Sequence, residues 1–313
     1  MLTGAADGLT SGNFIVVQLI CWAATLPNLT NLGNTILVIA PRINSRIVSL
    51  GMYDQPFLHS TNDLLWQELC HCIIDIDAEI DLPVQLNRDM SLTDQWLSAD
   101  LLLSQTCGFP YITRFHEHLQ LVATPVYVHE GCDAAEYSSF LIARTGNSPH
   151  LHEYRGTRLA ANAVDSLSGF VSLQIKLFNE GLRGPFFKQC ILSSAHARSL
   201  QMVAQDEADL CCIDTVTWGL LIQQVPALRN KLQVIAQTPR FPALPLVASK
   251  TLSAATVDVL REALDRVIDN PRATLALQKL GIKEFRQLTH RDYRCILDSH
   301  SACGDYQVAE QTE

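Results

Sequence analysis

The alternation of short apolar runs with segments of helical periodicity is the feature that most constrains this chain. Apolar runs predict strands at residues 47–53, 82–86, 101–104, 119–127, 139–143, 158–162, 190–194, 210–213, 232–236 and 246–249. Helical patterns follow at residues 91–99, 170–181, 215–223, 254–268, 271–280 and 291–299, and also after Ser60 and from His196. Strands that alternate with helices indicate parallel sheets covered by helices on both faces.

This pattern runs in two blocks, and a length of 313 residues suits about two domains. We therefore predict an α/β protein of two lobes, each a mostly parallel sheet flanked by helices. Residues 46–135 and 238–313 are assigned to lobe 1, and residues 136–237 to lobe 2. The chain is expected to cross between the lobes in residues 128–137 and in the Pro-rich passage 239–245.

Composition excludes several classes of protein. Hydrophobic residues make up 48% and charged residues 18%, which is typical of a globular chain and excludes a disordered, collagen-like or coiled-coil protein. The net charge of −9 supplies no basic face for a phosphate backbone, so no nucleic acid partner is expected.

The ten cysteines contain no C-x-x-C pair. Neither Cys70-His71-Cys72 nor Cys211-Cys212 has a second ligand pair at zinc spacing. We expect these cysteines to act as small buried hydrophobes, and we expect no metal and no cofactor.

Residues 1–45 stand apart from the strand and helix pattern. Their apolar run, 14–26, is too short for a membrane-spanning helix, which needs roughly 20 residues. It has the length of a signal-peptide core, yet no Lys or Arg precedes it, and the first basic residue is Arg42. We expect a poorly ordered extension or a degenerate signal, and both periplasm and cytoplasm stay open as the compartment.

Polar side chains follow five of the predicted strands. In open α/β sheets, ligands bind beyond the carboxyl ends of the strands. Nine residues at these ends are therefore our candidates for ligand binding: Tyr53, Gln105, Thr106, Ser166, Ser168, Gly169, His196, Asp214 and Trp218. The competing interpretation is that the polar groups only cap helices and that the aromatic rings are core.

The pentapeptide Asp165-Ser-Leu-Ser-Gly169 is the most informative of these turns. It joins a strand to a helix, where free N–H groups and the helix dipole attract an anion. Ser166 and Ser168 add hydroxyl donors, and Gly169 lets a ligand approach the backbone. The turn suits a phosphate-sized anion, although an ordinary serine cap is the better explanation of the pentapeptide taken alone.

His196 begins the next helix, where an imidazole donates to an anion and becomes charged at low pH. Asp214 needs a different explanation, because a carboxylate cannot accept a hydrogen bond from a fully ionised anion. It fits a ligand that carries a protonated P–OH group or an ammonium on a short arm. Tyr53 and Trp218 would form walls of the site.

Taken together, these residues resemble the phosphate, phosphite and phosphonate substrate-binding proteins of ABC importers. The motifs that carry the likeness are Ser49-Leu-Gly-Met-Tyr-Asp54, Leu103-Ser-Gln-Thr-Cys-Gly-Phe-Pro110, Asp165-Ser-Leu-Ser-Gly-Phe170, Ser194-Ala-His196, Ala208-Asp-Leu-Cys-Cys-Ile-Asp214 and Thr217-Trp218. They cover roughly residues 46–299. The resemblance implies a type II periplasmic-binding-protein fold, with a ligand cleft between two lobes that close on it.

The resemblance also assigns roles to residues. It implies that Tyr53 lines the pocket, that the loop from Ser166 to Gly169 and His196 hold phosphonate oxygens, and that Asp214 binds the ligand's other polar group. The family loop usually reads Ser-Thr-Ser-Gly, and Leu167 stands in place of its threonine, which removes one hydroxyl donor.

The predicted function is reversible capture of a small phosphonate-like or phosphate-like oxyanion, without any reaction. The resemblance implies a monomer that delivers this ligand to an ABC permease in the periplasm. The alternative is a cytosolic enzyme or a small-molecule sensor on the same fold. Ser168, His196 and Asp214 supply the residue types of a nucleophilic triad, but no G-x-S-x-G elbow is present.

Overall fold

The computed structural model describes residues 46–304 and 306–309. The predictions for residues 1–45, including the signal-like run 14–26, lie outside the described residues. Within the described part of the chain, no helix is both long and apolar enough to cross a membrane.

The described chain forms short strands and helices in alternation. The strands are β1 (Ile47–Val48), β2 (Leu101–Gln105), β3 (Leu119–Tyr127), β4 (Glu136–Tyr137), β5 (Ser139–Arg144), β6 (Arg158–Ala161), β7 (Gln189–Leu192), β8 (Leu210–Asp214), β9 (Leu232–Gln237), β10 (Phe241–Pro242), β11 (Leu246–Ser249) and β12 (Ile282–Arg286). The α-helices are α1 (His59–Ile76), α2 (Leu92–Leu97), α3 (Ser172–Asn179), α4 (His196–Ala204), α5 (Thr215–Gln224), α6 (Leu228–Lys231), α7 (Ala254–Ile268), α8 (Thr274–Leu280) and α9 (His290–Cys303). Shorter helical turns are Gly51–Tyr53, Pro56–Leu58, Gly108–Pro110, Tyr111–Phe115, Leu151–Tyr154 and Leu167–Val171.

Two five-stranded sheets organise the molecule. Sheet A has the order β1-β2-β11-β3-β12, and sheet B has the order β7-β6-β8-β5-β9. The largest apolar core packs against sheet A, and sheet B has a separate core on each face. The predicted α/β layering, with helices covering the sheets, is therefore confirmed.

Both sheets are mixed, which makes the pairing more antiparallel than the sequence pattern predicts. β1–β2, β6–β7 and β6–β8 are parallel, whereas β5 and β11 pair antiparallel with their neighbours. The antiparallel pairing of β5 and β11 follows from the end of the sheet at which each of these strands begins. The first residue of β5, Ser139, pairs with the last residue of β8, Asp214, and the first residue of β11, Leu246, pairs with the last residue of β2, Gln105. Each enters its sheet from the end at which its neighbour finishes.

Two segments carry the chain between the sheets, at residues 128–138 and 238–245. They pair with each other through β4 and β10, where Phe241 faces Tyr137. The tail crosses once more, because Val308 is buried in a core of sheet B and its carbonyl accepts from the backbone of Phe186 and Phe187. The lobe boundaries at 135 and 237 remain predictions.

Local chemistry explains the elements that the sequence shows clearly. All five residues of β2 are buried: three consecutive leucines begin the strand, and Ser104 and Gln105 end it. Ser253 caps α7 by accepting from the Thr256 amide, and Val257, Leu260 and Leu264 follow on its buried face at helical spacing.

After residue 250 the sequence pattern predicts only helices, and this is wrong at residues 282–286, which form β12 at the edge of sheet A. Its sequence, Ile-Lys-Glu-Phe-Arg, is charged because edge strands are half exposed. The helix predicted from residue 271 begins at Thr274. The strand predicted at 82–86 does not form, and that at 47–53 stops at Val48 before a 3-10 turn.

Candidate functional site

A cleft of about 460 Å³ opens where the ends of β6, β7 and β8 in sheet B face the turn after β1 of sheet A. The predicted residues Tyr53, Ser166, Ser168, His196 and Asp214 all line it. Each comes from a turn or loop at a strand end, so five of the nine strand-end candidates meet in one cleft.

The loop after β6 forms the start of a helical segment that continues into α3. The side chain of Ser166 accepts from the Gly169 amide at 3.1 Å and thereby caps the segment. Its own hydroxyl hydrogen is left to donate, because a serine oxygen accepts and donates at once. The Leu167 amide donates to the Cys107 sulfur, and the Ser168 amide lies in the first turn, where a helix leaves N–H groups without an internal partner.

Gly169 is required at this point because the Asn162 side chain lies directly over it. A Cβ atom added at Gly169 would lie 1.7 Å from Asn162 Oδ1 and 3.2 Å from His196 Cε1. We predicted that Gly169 lets a ligand approach the backbone. In the structure its missing side chain also leaves room for Asn162 and His196.

His196 is the first residue of α4, and Ser194 sets its position. Ser194 adopts φ of 64°, the left-handed region that non-glycine residues rarely occupy, and this turns the chain from β7 into α4 beside the cleft. His196 Nε2 lies 3.0 Å from Ser168 Oγ and 3.3 Å from Asp214 Oδ2. Its Nδ1 atom is buried and has no hydrogen-bond partner among the described residues.

Burial lowers the pKa of His196, and the nearby Asp214 opposes this shift. We expect a neutral imidazole at pH 7, which presents one N–H donor and one lone pair. A bound anion would favour the charged form and would raise the pKa again.

The Ser-His-Asp trio does not have the arrangement of a hydrolytic triad. In a triad the carboxylate holds Nδ1–H and the serine faces Nε2. Here Ser168 and Asp214 both approach Nε2, and Nδ1 faces neither. The geometry gives Ser168 no base that is oriented by a carboxylate.

Asp214 both caps a helix and lies in the cleft, so the two interpretations of this residue coexist. Its Oδ1 atom accepts from the Thr217 amide at 2.7 Å, at the start of α5, and from the Tyr53 hydroxyl at 3.1 Å. The Tyr53 contact spans the cleft from the sheet A side to the sheet B side. Burial, followed by the charge of Asp214, raises the pKa of Tyr53, so the phenol stays protonated as a donor.

Four of the nine predicted residues are not among those that line the cleft: Gly169, which packs against Asn162, and also Gln105, Thr106 and Trp218. Gln105 is buried, and its amide nitrogen donates to the Tyr127 hydroxyl and to the Leu244 carbonyl, both at 3.1 Å. Thr106 is fully buried and its hydroxyl donates to the Cys107 carbonyl. Trp218 is buried in one core of sheet B.

The further residues that line the cleft include Asn162, Cys107 and Asp54, which were not among the sequence candidates. Asn162 was the last residue of a predicted strand, so the strand-end rule already pointed to it. Cys107 follows Thr106, and burial raises the pKa of its thiol. Asp54 follows Tyr53, and its carboxylate pairs with Arg88 Nε at 2.6 Å.

No Lys or Arg is found among the described residues that line the cleft. The site therefore offers hydroxyl, amide and imidazole donors, together with the carboxylates of Asp54 and Asp214. Nor does the described part of the chain contain a cluster of three His, Cys, Asp or Glu side chains suited to a metal ion.

Comparison with known proteins places this geometry in a family. Residues 99–293 match the family model described as the periplasmic substrate-binding protein of a phosphonate ABC transporter. A search of curated protein sequences finds no match.

Solved structures of similar shape support the same fold. PhnD1 from Prochlorococcus marinus, in complex with methylphosphonate, superposes with a TM-score of 0.65 at 15% identity, over 82% of this chain and 97% of that one. A binding component of a phosphonate ABC transporter from Pseudomonas aeruginosa gives 0.66 at 18% identity, over 82% and 86%. A Xanthomonas citri protein bound to ATP gives 0.61 at 14% identity, over 79% and 96%.

These neighbours confirm the type II periplasmic-binding-protein fold. The family model spans more than half of the 313 residues. Its members capture a small phosphonate-like oxyanion for an ABC importer and are binding components, not enzymes. The chain belongs to the phosphonate-binding family of periplasmic substrate-binding proteins of ABC transporters.

Proposed function

We propose that Ser166, Ser168, Gly169 and His196 hold the phosphorus oxyanion, and that Tyr53 and Asp214 bind the ligand's remaining polar group. The observation that carries this proposal is the meeting of Ser168 Oγ and His196 Nε2 at 3.0 Å in a cleft. A hydroxyl, an imidazole and the start of a helical segment converge there, and such a set binds oxyanions without a lysine or arginine.

The ligand that suits this cleft carries a single net negative charge or a compensating ammonium. Asp54 is neutralised by Arg88, whereas Asp214 pairs with no Lys or Arg among residues 46–304 and 306–309 and contacts Tyr53 and His196. A dianion beside that carboxylate is repelled, whereas a P–OH or an ammonium donates to it.

The phosphorus chemistry is supported by the ligands of two structural neighbours. The Prochlorococcus protein holds methylphosphonate and the Xanthomonas protein holds ATP, and both ligands present phosphorus-bound oxygens. These ligands differ greatly in size, so the neighbours support the oxyanion but not one substituent.

Sheets A and B, with their helices, are proposed to act as lobes hinged at residues 128–138 and 238–245. Two polar contacts join the two sides near the cleft, Tyr53 with Asp214 and Arg114 with Asp165, and both would part when the lobes rotate as rigid bodies. We further propose that the protein acts as a monomer and docks on an ABC permease.

Titration calorimetry of the full chain tests the ligand class. Phosphate, phosphite, methylphosphonate and 2-aminoethylphosphonate are titrated in turn at neutral pH. We expect at least one to bind at micromolar affinity or tighter, about −8 kcal/mol at 1 μM. The variant His196→Ala is expected to weaken that binding at least tenfold, and His152→Ala, at an exposed position, serves as its control. If none of the four ligands binds, the proposal is contradicted.

A further inference from the structure

The ligand cleft adjoins a second cavity of about 350 Å³, which we call the annex. The two cavities share five lining residues, Met52, Leu92, Cys107, Asn162 and Ser166. One of the five, Ser166, belongs to the loop from Ser166 to Gly169 that is proposed to hold the oxyanion. The annex therefore begins next to the place where the phosphorus group is proposed to lie.

The walls of the annex are mainly apolar. Trp96, Pro110 and Phe115 line it beyond the shared residues, and all three are buried. At the rim, Arg114 Nη1 pairs with Asp165 Oδ2 at 3.3 Å, and both side chains are about half exposed. Since these rim charges neutralise each other, the annex has no net charge that would attract a second anion.

Asn162 stands where the cleft and the annex meet, since it lines both. Its Oδ1 atom is buried and accepts no hydrogen bond from any described residue. A buried acceptor without a partner costs free energy, which a ligand donor can recover. The side chain thus fits a donor that lies one or two bonds from the phosphorus group.

The volumes exceed what a bare oxyanion fills. Five heavy atoms, each about the size of a water molecule at roughly 30 Å³, occupy about 150 Å³. The cleft alone is about three times larger, and the annex adds room for up to about ten further heavy atoms.

We propose that the annex binds an organic substituent of the ligand, so that this protein captures an organophosphorus anion with a largely apolar, uncharged group and a hydrogen-bond donor close to phosphorus. This inference rests on the proposed function, because it assumes that the phosphorus oxygens lie at Ser166, Ser168 and His196.

Calorimetry with a series of alkylphosphonates tests the substituent. Methylphosphonate, butylphosphonate and benzylphosphonate are titrated into the full chain. Each buried methylene adds about fourfold in affinity, so butylphosphonate and benzylphosphonate are expected to bind at least tenfold more tightly than methylphosphonate.

Variants on opposite walls locate the effect in the annex. Ala163 and Thr93 line the annex but not the cleft. The variants Ala163→Trp and Thr93→Trp are each expected to weaken benzylphosphonate at least tenfold and to leave methylphosphonate within threefold. Thr93 is exposed, so its variant remains informative if Ala163→Trp does not fold.

The role of Asn162 has its own test. Hydroxymethylphosphonate and ethylphosphonate contain the same number of heavy atoms, but only the first offers an added donor. The wild-type protein is expected to prefer hydroxymethylphosphonate at least threefold, and Asn162→Ala to abolish that preference.

The outcomes separate this inference from the function beneath it. If methylphosphonate binds but the longer ligands bind no better, or if both tryptophan variants leave benzylphosphonate unchanged, the annex proposal alone is overturned. If no phosphonate binds at all, the proposed function fails and the annex proposal fails with it.

Discussion

The strand ends of the two sheets carry similar polar residues that the fold uses in opposite ways. At the end of β2 in sheet A, the side chains of Gln105 and Thr106 form hydrogen bonds within the protein. After β6 and β7 in sheet B, Asn162 and His196 each keep one buried polar atom without a partner among the described residues. The first pair stabilises the fold, and the second pair is available to a ligand.

This contrast shows what a polar residue at a strand end does and does not imply. Its position places it near the proposed ligand site, but its function depends on whether other parts of the chain already satisfy its hydrogen bonds. A buried group away from the cleft that other parts of the chain satisfy should matter for stability and little for binding, whereas an unsatisfied group that lines the cleft should show the reverse.

The largest expected effect is a loss of stability in Gln105→Ala. The change leaves the Tyr127 hydroxyl and the Leu244 carbonyl without their buried donor, at roughly 1–3 kcal/mol each. We expect the free energy of unfolding to fall by about 2–6 kcal/mol in chemical denaturation. The matched variant Asn162→Ala removes no side-chain hydrogen bond to any described residue and is expected to change stability by less than about 1 kcal/mol. Equal losses in the two variants would remove the distinction between the sheets.

The next effect is a loss of ligand affinity in Ser168→Ala. A hydrogen bond to a charged group contributes roughly 1.5–3 kcal/mol, so the dissociation constant for methylphosphonate should rise by about 10- to 150-fold. The exposed Ser301→Ala provides the control, and calorimetry provides the measurement. An unchanged affinity in Ser168→Ala would place the oxyanion elsewhere.

Acid should weaken the fold through two buried histidines. Burial lowers the pKa of His129 and of His196, so both are neutral in the folded protein while the unfolded chain takes up protons below about pH 6.5. Their contribution to stability is present above that pH and is lost as the pH falls below it, by up to about 1.4 kcal/mol per pH unit for each group.

Denaturation curves between pH 5 and 8 measure this slope. His196→Gln should remove the contribution of one histidine from this slope. Bound methylphosphonate should reduce the same contribution, because an anion favours the imidazolium form of His196 in the folded protein. The contribution of His129, whose Nε2 already contacts the Leu280 carbonyl at 3.1 Å, should persist in both cases. A slope that neither change affects would contradict the placement of His196.

The smallest effect is expected for Thr106→Val. The residue is fully buried, and its hydroxyl makes one bond of 3.4 Å, to the neighbouring Cys107 carbonyl. We expect ligand affinity to stay within twofold and stability to fall by about 1 kcal/mol or less. A tenfold loss of affinity would make Thr106 a ligand contact after all.

The sequence predicts the α/β layering and the position of the cleft because both follow from local patterns. The strand at 101–104 begins with three consecutive leucines, and the turn from Asp165 to Gly169 carries its own cap. The role of Gln105 could not be predicted in this way, since its partners Tyr127 and Leu244 are 22 and 139 residues away.

The edge strand β12 was not predicted, because it also depends on a contact that is distant in sequence. Its charged residues are half exposed, and only pairing with β3 makes them a strand. In the same way, nothing local to Asn162 reveals that its Oδ1 atom lacks a partner, because that property depends on every neighbouring element.

The most direct test of the account is a crystal structure of the protein grown with methylphosphonate. We predict the phosphonate oxygens within hydrogen-bond distance of Ser168 Oγ and the His196 ring, at the sheet B strand ends. A phosphonate bound beside Gln105 and Thr106 in sheet A, or outside the cleft altogether, would contradict it.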